Sequence, residues 1–154
     1  MSFTGHTRSA PDETIANNGF FPDLSTKTFS DVYRLPIEYQ LEMIKEKLFL
    51  ALIKVNKDLE QRKIQWQQMG YSELAEVPGE NYGGQTQWQR LYFLAVYAWA
   101  KADLLLSFAT IAGRKEAAED PAREGEATEQ QLKATALDAI AQLIGQTTIT
   151  AELL

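Results

Sequence analysis

The sequence predicts an all-α fold, a small helical bundle, on three observations. Apolar residues recur at steps of three and four through long segments of the chain. Those segments are bounded by Pro36, Gly70, Gly113 and Gly145, residues that start or stop helices. Before Thr147 no segment alternates apolar and polar residues at the two-residue period of a half-buried strand. The 154 residues suffice for one compact domain.

Residues 1–19, rich in Ser, Thr, Asn, Gly and Pro, read as a flexible N-terminal arm. It contains the sole histidine, His6, and no apolar run of the kind a signal peptide carries. The arm ends at Phe20-Phe21-Pro22, two large rings beside a stiff residue, which dock either on the chain's own core or on a neighbouring subunit. Ser25–Arg34 predicts a short helix with Phe29, Val32 and Tyr33 on one face. From Pro36, a residue suited to a first helical position, Ile37, Leu41, Ile44, Leu48, Ala51, Leu52, Val55, Leu59, Trp66 and Met69 form one stripe. A continuous helix over 36–69 would be ~51 Å long, and its far end, near Trp66, would project or lean on something else.

The segment 79–85, with Gly79, Gly83 and Gly84, reads as a loop. A second long helix spans 87–112, rich in aromatics and apolar nearly all round, as expected of a helix central to a bundle or covered by a second chain. Lys101 and Asp103 interrupt it, so it reads as a buried helix and not as a membrane span. Arg114–Gln130 reads as an acidic, solvated excursion with room for short helical turns. Thr128 then caps a last helix to Ile144, with Leu132, Ala136, Ile140, Leu143 and Ile144 as its stripe. The chain thus divides into an arm over 1–19, a helical domain over 20–146 and a tail over 147–154. In the tail, Ile149, Ala151 and Leu153 alternate with Thr148, Thr150 and Glu152, the pattern of a segment that adds to an exposed strand edge or folds back on its own bundle.

Chemistry is sparse. Without cysteine there are no disulfides, thiolate metal sites or thiol nucleophiles. A base on a flexible arm is not held to the tolerance catalysis needs, so His6 reads as solvated. No HExxH, EF-hand or phosphate-cradling glycine motif occurs, and Glu116, Glu119 and Asp120 lie among other charges as a solvated face. Lys54, Lys57, Arg62 and Lys63 are interleaved with Asp58 and Glu60, a face of salt bridges and not a phosphate groove. With 15 Lys and Arg against 21 Asp and Glu, the net charge of −6 argues against a simple DNA-binder. The reading is no enzyme, no cofactor and no metal. Two other classes stay open: a small helical regulatory dimer that binds DNA or protein, and a helical enzyme that works with Asp and Glu alone.

The chain resembles the head completion/stabilisation protein L (GPL) family of contractile-tailed phages. The likeness runs through Phe20-Phe21-Pro22-Asp23 and Val55-Asn56-Lys57-Asp58-Leu59, then through Met69-Gly70-Tyr71 and Leu74-Ala75-Glu76-Val77-Pro78. It continues through Leu91-Tyr92, Ala95-Val96-Tyr97-Ala98 and Ala102-Asp103-Leu104, and ends through Ala139-Ile140, Leu143-Ile144-Gly145 and Ala151-Glu152-Leu153-Leu154. Where the family is basic after the terminal glycine, Gln146 and Thr147 stand here.

The resemblance implies a virion protein of the head–tail junction, assembled in the host cytoplasm. It implies a ring on the portal protein, usually twelvefold, that forms after DNA packaging, extends the DNA channel, retains the genome and offers the surface on which the tail, with its terminator or completion protein, attaches. Double-stranded DNA would pass without sequence-specific binding, and no membrane is involved. On this reading Phe20, Phe21, Ile149, Ala151, Glu152, Leu153 and Leu154 are candidates for the portal or subunit interface. Glu116, Glu119, Asp120, Glu124 and Glu126 are candidates to line the channel, where like charge keeps DNA from adhering; the charged face of the long helix is the other candidate lining.

Overall fold

The computed structural model describes residues 12–36, 39–113 and 121–145, side chains 109–113 and 121–127 excepted. The described chain is mostly helical, with two very short antiparallel strand pairs that the apolar pattern does not reveal. Its order is β1 (Thr14–Ile15), β2 (Leu24–Ser25), α1 (Thr26–Val32), α2 (Leu41–Asp58), α3 (Glu60–Gln68), a 3-10 turn (Leu74–Glu76), β3 (Asn81–Tyr82), β4 (Gln85–Thr86), α4 (Gln87–Gly113) and α5 (Pro121–Ile144).

Local chemistry explains most of the boundaries. Ser25 caps α1 by accepting a hydrogen bond from the Thr28 amide at 3.1 Å. Phe29 is wholly buried, whereas Val32, expected on the same face, is 66% exposed. The long helix starts at Leu41 and not at Pro36: the Tyr39 amide closes a turn on the Pro36 carbonyl, and Gln40 is still extended at φ −69°, ψ 142°. It is also interrupted. Leu59 stands at φ −96°, ψ 4°, between α2 and α3, although the Leu59 amide still reaches Val55 and the Lys63 amide reaches Leu59. The bend does not move Leu59 off the apolar stripe, so periodicity reads straight through it. The far end does not project: Trp66 is buried, with Phe20 stacked on it at 6.1 Å and Trp88 tilted against it at 5.9 Å. Gly70, at φ 96°, ends α3 with a paired closure, its own amide on Gln67 and the Tyr71 amide on Trp66.

The glycine loop is a hairpin. Asn81 pairs with Thr86 and Tyr82 with Gln85, around Gly83 and Gly84 at φ 61° and 85°. Positive φ at both central residues is the turn that matches the strand twist. Thr86 and Gln89 then cap α4 reciprocally: the Gln89 amide donates to Thr86 Oγ1 at 3.3 Å and the Thr86 amide to Gln89 Oε1 at 2.9 Å.

Helix α4 is the centre of the bundle. Its span Gln87–Phe108 is long and apolar enough to cross a membrane by composition, but Tyr92, Ala95, Val96, Ala100 and Leu104 are buried in the common core with residues of α1, α2 and α5. Helix α5 packs along α4 and buries Ala136, Ala139, Ile140 and Leu143. It begins at Pro121, two turns before the Thr128 expected to cap it. Much of the segment expected to be a solvated excursion is therefore helix.

Candidate assembly surface

The N-terminal segment is built into the body. The short pairing of β1 with β2 sets Thr14 against Ser25 and Ile15 against Leu24, and the Glu13 amide donates to buried Thr26 Oγ1 at 2.8 Å. A ring of three polar side chains holds the segment to two helices. Asn17 Nδ2 donates to the Tyr92 hydroxyl at 2.8 Å, that hydroxyl donates to Asn56 Oδ1 at 2.6 Å, and Asn56 Nδ2 donates to Asn17 Oδ1 at 2.9 Å. Glu13 adds an ion pair to Lys45 at 2.7 Å. The arm expected over 1–19 is thus fastened over residues 12–19; residues 1–11 lie outside the described residues.

Phe20 and Phe21 are interior. They are 4% and 2% exposed, Phe21 stacked on Tyr92 at 4.7 Å and Phe20 on Trp66. Of the two docking places open to these rings, the described chain supplies its own core, and neither ring offers a face to a neighbour. The other interface candidates, Ile149, Ala151, Glu152, Leu153 and Leu154, lie outside the described residues, as do Glu116, Glu119 and Asp120. Glu124 and Glu126 fall in the first half of α5, with side chains outside the description. Of the sequence-derived candidates, the described residues thus place only Phe20 and Phe21 with their side chains, and both are in the core.

What it exposes is a different set. On α2, Phe49, Leu50 and Ile53 are 40%, 46% and 60% exposed, on the side opposite the buried Leu48, Ala51, Leu52 and Val55. Between α1 and α4 lies an open groove of about 340 Å³, with Phe93 and Tyr97 beneath, exposed Val32 and Leu94 beside them, and Arg90 and Asp23 at the rim. The guanidinium of Arg90 is spent on the hairpin, donating to the carbonyls of Tyr82 at 2.9 Å and Gly83 at 3.3 Å. The sequence signal for the α2 face was present: three large apolar residues lie off the buried stripe. The Asn17–Asn56–Tyr92 ring gave no such signal, because polar residues that meet across the fold have no period.

The electrostatics are those of a scaffold. Burial pushes the Tyr33 phenol up to about 12 and also raises those of Tyr92 and Tyr97, keeping all three neutral; the Tyr92 and Tyr97 hydroxyls serve as hydrogen-bonding groups. Lys54 and Lys133 stand 5.0 and 5.1 Å from the Trp99 ring centre, tying α2 and α5 to α4. Arg62 lies 4.7 Å over Trp66 and donates to the Leu143 carbonyl at 3.1 Å, near the negative end of α5. Among the described residues, no three His, Cys, Asp or Glu side chains converge as a metal site.

The family pattern of the phage head completion protein (GPL) matches residues 15–154, from β1 onward. The chain belongs to that family. The GPL match begins five residues before Phe20, at Ile15, and so takes in the segment that the Asn17 ring fastens down. A probable head completion/stabilization protein of Haemophilus phage HP1 (strain HP1c1) is 32% identical over 113 residues, which cover 73% of this chain and 75% of that protein. No solved structure matches the chain. As a member of the GPL family the chain is a phage head completion protein, a structural component of the virion.

Proposed function

We propose that the chain works at the head–tail junction, assembling after DNA packaging as a ring on the portal that extends the DNA channel, retains the genome and presents the surface for tail attachment. The observation that carries this reading is that two uncovered apolar surfaces, the α2 face and the α1–α4 groove, share no residue. Cyclic assembly joins two different faces of each subunit, so a ring-former needs such a pair. The partners are the portal, further copies of the chain in a twelvefold ring, a tail terminator or completion protein, and passing double-stranded DNA held without sequence-specific contact. The segment 147–154 is the element proposed to engage the portal or a neighbouring subunit, and Glu116, Glu119, Asp120, Glu124 and Glu126 are proposed to line the channel. Assembly would take place in the host cytoplasm.

The test is the mass of the cognate portal mixed with an excess of the chain. A stable complex with as many copies of the chain as of the portal subunit is the expected result. A chain that keeps its portal-free mass in the mixture refutes the ring.

A further inference from the structure

The solvent face of α2 carries more than its apolar side chains. Successive residues turn by about 100°, which places Glu46, Leu50, Ile53 and Lys57 within one arc of about 60° on the side away from the core. All four are exposed. Among the described residues, neither Glu46 nor Lys57 has an ion-pair partner; Lys47, outside this arc, has none either, whereas Lys45, Lys54 and Lys63 are paired. The order along the helix is acid, apolar, apolar, base. Leu50 and Ile53 straddle a midpoint between Ala51 and Leu52, and Glu46 and Lys57 straddle the same midpoint.

A sequence with that symmetry is complementary to itself when reversed. We propose that the free chain forms a two-fold dimer through this face, with the two α2 helices antiparallel, Leu50 of each copy against Ile53 of the other and Glu46 of each against Lys57 of the other. Charge complementarity selects this occupant. A parallel copy would set Glu46 against Glu46 and Lys57 against Lys57, whereas the reversed copy satisfies both charges at once, twice per dimer. Phe49, on the flank of the arc, closes the edge of the contact. An isologous contact is complete at two copies and does not propagate. One helix face of this length covers less than the roughly 800 Å² per partner of a standard interface, so the dimer is a reversible one. The dimer covers the α2 face that the ring reading gives to a neighbouring subunit, so it is a state of the free chain that must open before a ring closes on the portal.

Sedimentation of the full chain without portal tests it, with far-ultraviolet circular dichroism as the control for folding. A concentration-dependent shift from monomer to dimer mass is expected, abolished by Ile53→Asp at unchanged helical signal. Glu46→Lys places like charges together twice per dimer and should weaken association at least about tenfold. The double variant Glu46→Lys with Lys57→Glu should restore it to within about threefold, because the exchanged charges meet in the same geometry. A chain that stays monomeric to millimolar concentration overturns the inference, leaving this face to some other partner. So does a dimer indifferent to Ile53→Asp, or a double variant as weak as the single one. Ring formation is read separately, from the mass of the portal mixture, so failure of the dimer and failure of the ring are distinguishable.

Discussion

The hydroxyl of Tyr92 is both acceptor and donor in its ring with Asn17 and Asn56. Tyr92→Phe leaves Asn56 Oδ1 without its donor in a closely packed place, at a cost of about 1–3 kcal/mol. Urea unfolding should show that loss. Asn17→Ala added to it should cost less than the sum of the two singles, because each removes the same Asn17–Tyr92 bond. Alkaline pH acts on the same group of residues. A phenol in the unfolded chain titrates near 10, and Tyr33, Tyr92 and Tyr97 are all raised above that in the fold by burial. The native state then holds protons that the unfolded state releases, so this stability is complete below pH 10 and is lost as pH rises toward the folded values, about 12 for Tyr33. Lys45, raised by its hydrogen bond to Glu13, and Lys133, raised by its hydrogen bond to Glu129, act with the same sign. The melting temperature should begin to fall near pH 10, and the fall should be shallower in Tyr92→Phe. A melting temperature that climbs through that range contradicts the assignment.

At the level of helices and strands, α4 depends on a well-defined start. Thr86→Ala removes the hydroxyl that receives the Gln89 amide and should cost about 1 kcal/mol, with Thr86→Ser keeping most of the stability; denaturant midpoints of the two variants decide this. The start of α4 was legible because the hairpin glycines precede it and the apolar run follows at once. Its partners were legible in part. The α5 stripe from Ala136 to Leu143 announced its buried face, but an acidic composition with Gly125 hid the two turns between Pro121 and Thr128. The break at Leu59 was invisible for a different reason: a bend that keeps its residue buried leaves the apolar period intact. Two-residue strands are too short to show any period. The residues that fasten the N-terminal segment are asparagines, which composition reads as loop, so only the folded arrangement shows that Asn17 meets Asn56 and Tyr92. The α2 face was recoverable in principle, from large apolar residues that fall outside the core stripe.

For the molecule as an assembled part of a virion, charge is the testable property. The proposed channel lining is acidic, and a lumen of DNA's own sign resists adhesion during passage. Replacing Glu116, Glu119, Asp120, Glu124 and Glu126 by Gln or Asn should leave particle assembly intact and slow genome ejection at low salt. The defect should fade as salt shortens the Debye length from ~30 Å at 0.01 M to ~8 Å at 0.15 M. Ejection equal to wild type at every salt concentration would place these acids outside the channel.

The stacking of Trp66 on Phe20 gives the chain a built-in optical clock. That indole, 2% exposed, touches the N-terminal segment on one side and lies under the Arg62 guanidinium, while Trp88 and Trp99 report on the segment at Pro78 and on the α2–α4–α5 junction. In a variant with Trp88 and Trp99 replaced by Phe, emission comes from Trp66 alone. Its shift to shorter wavelength during refolding would time the closing of residues 12–21 over the bundle, separately from the growth of helical ellipticity. The order of those two signals shows whether the segment is a participant in folding or the last strap drawn over a finished core.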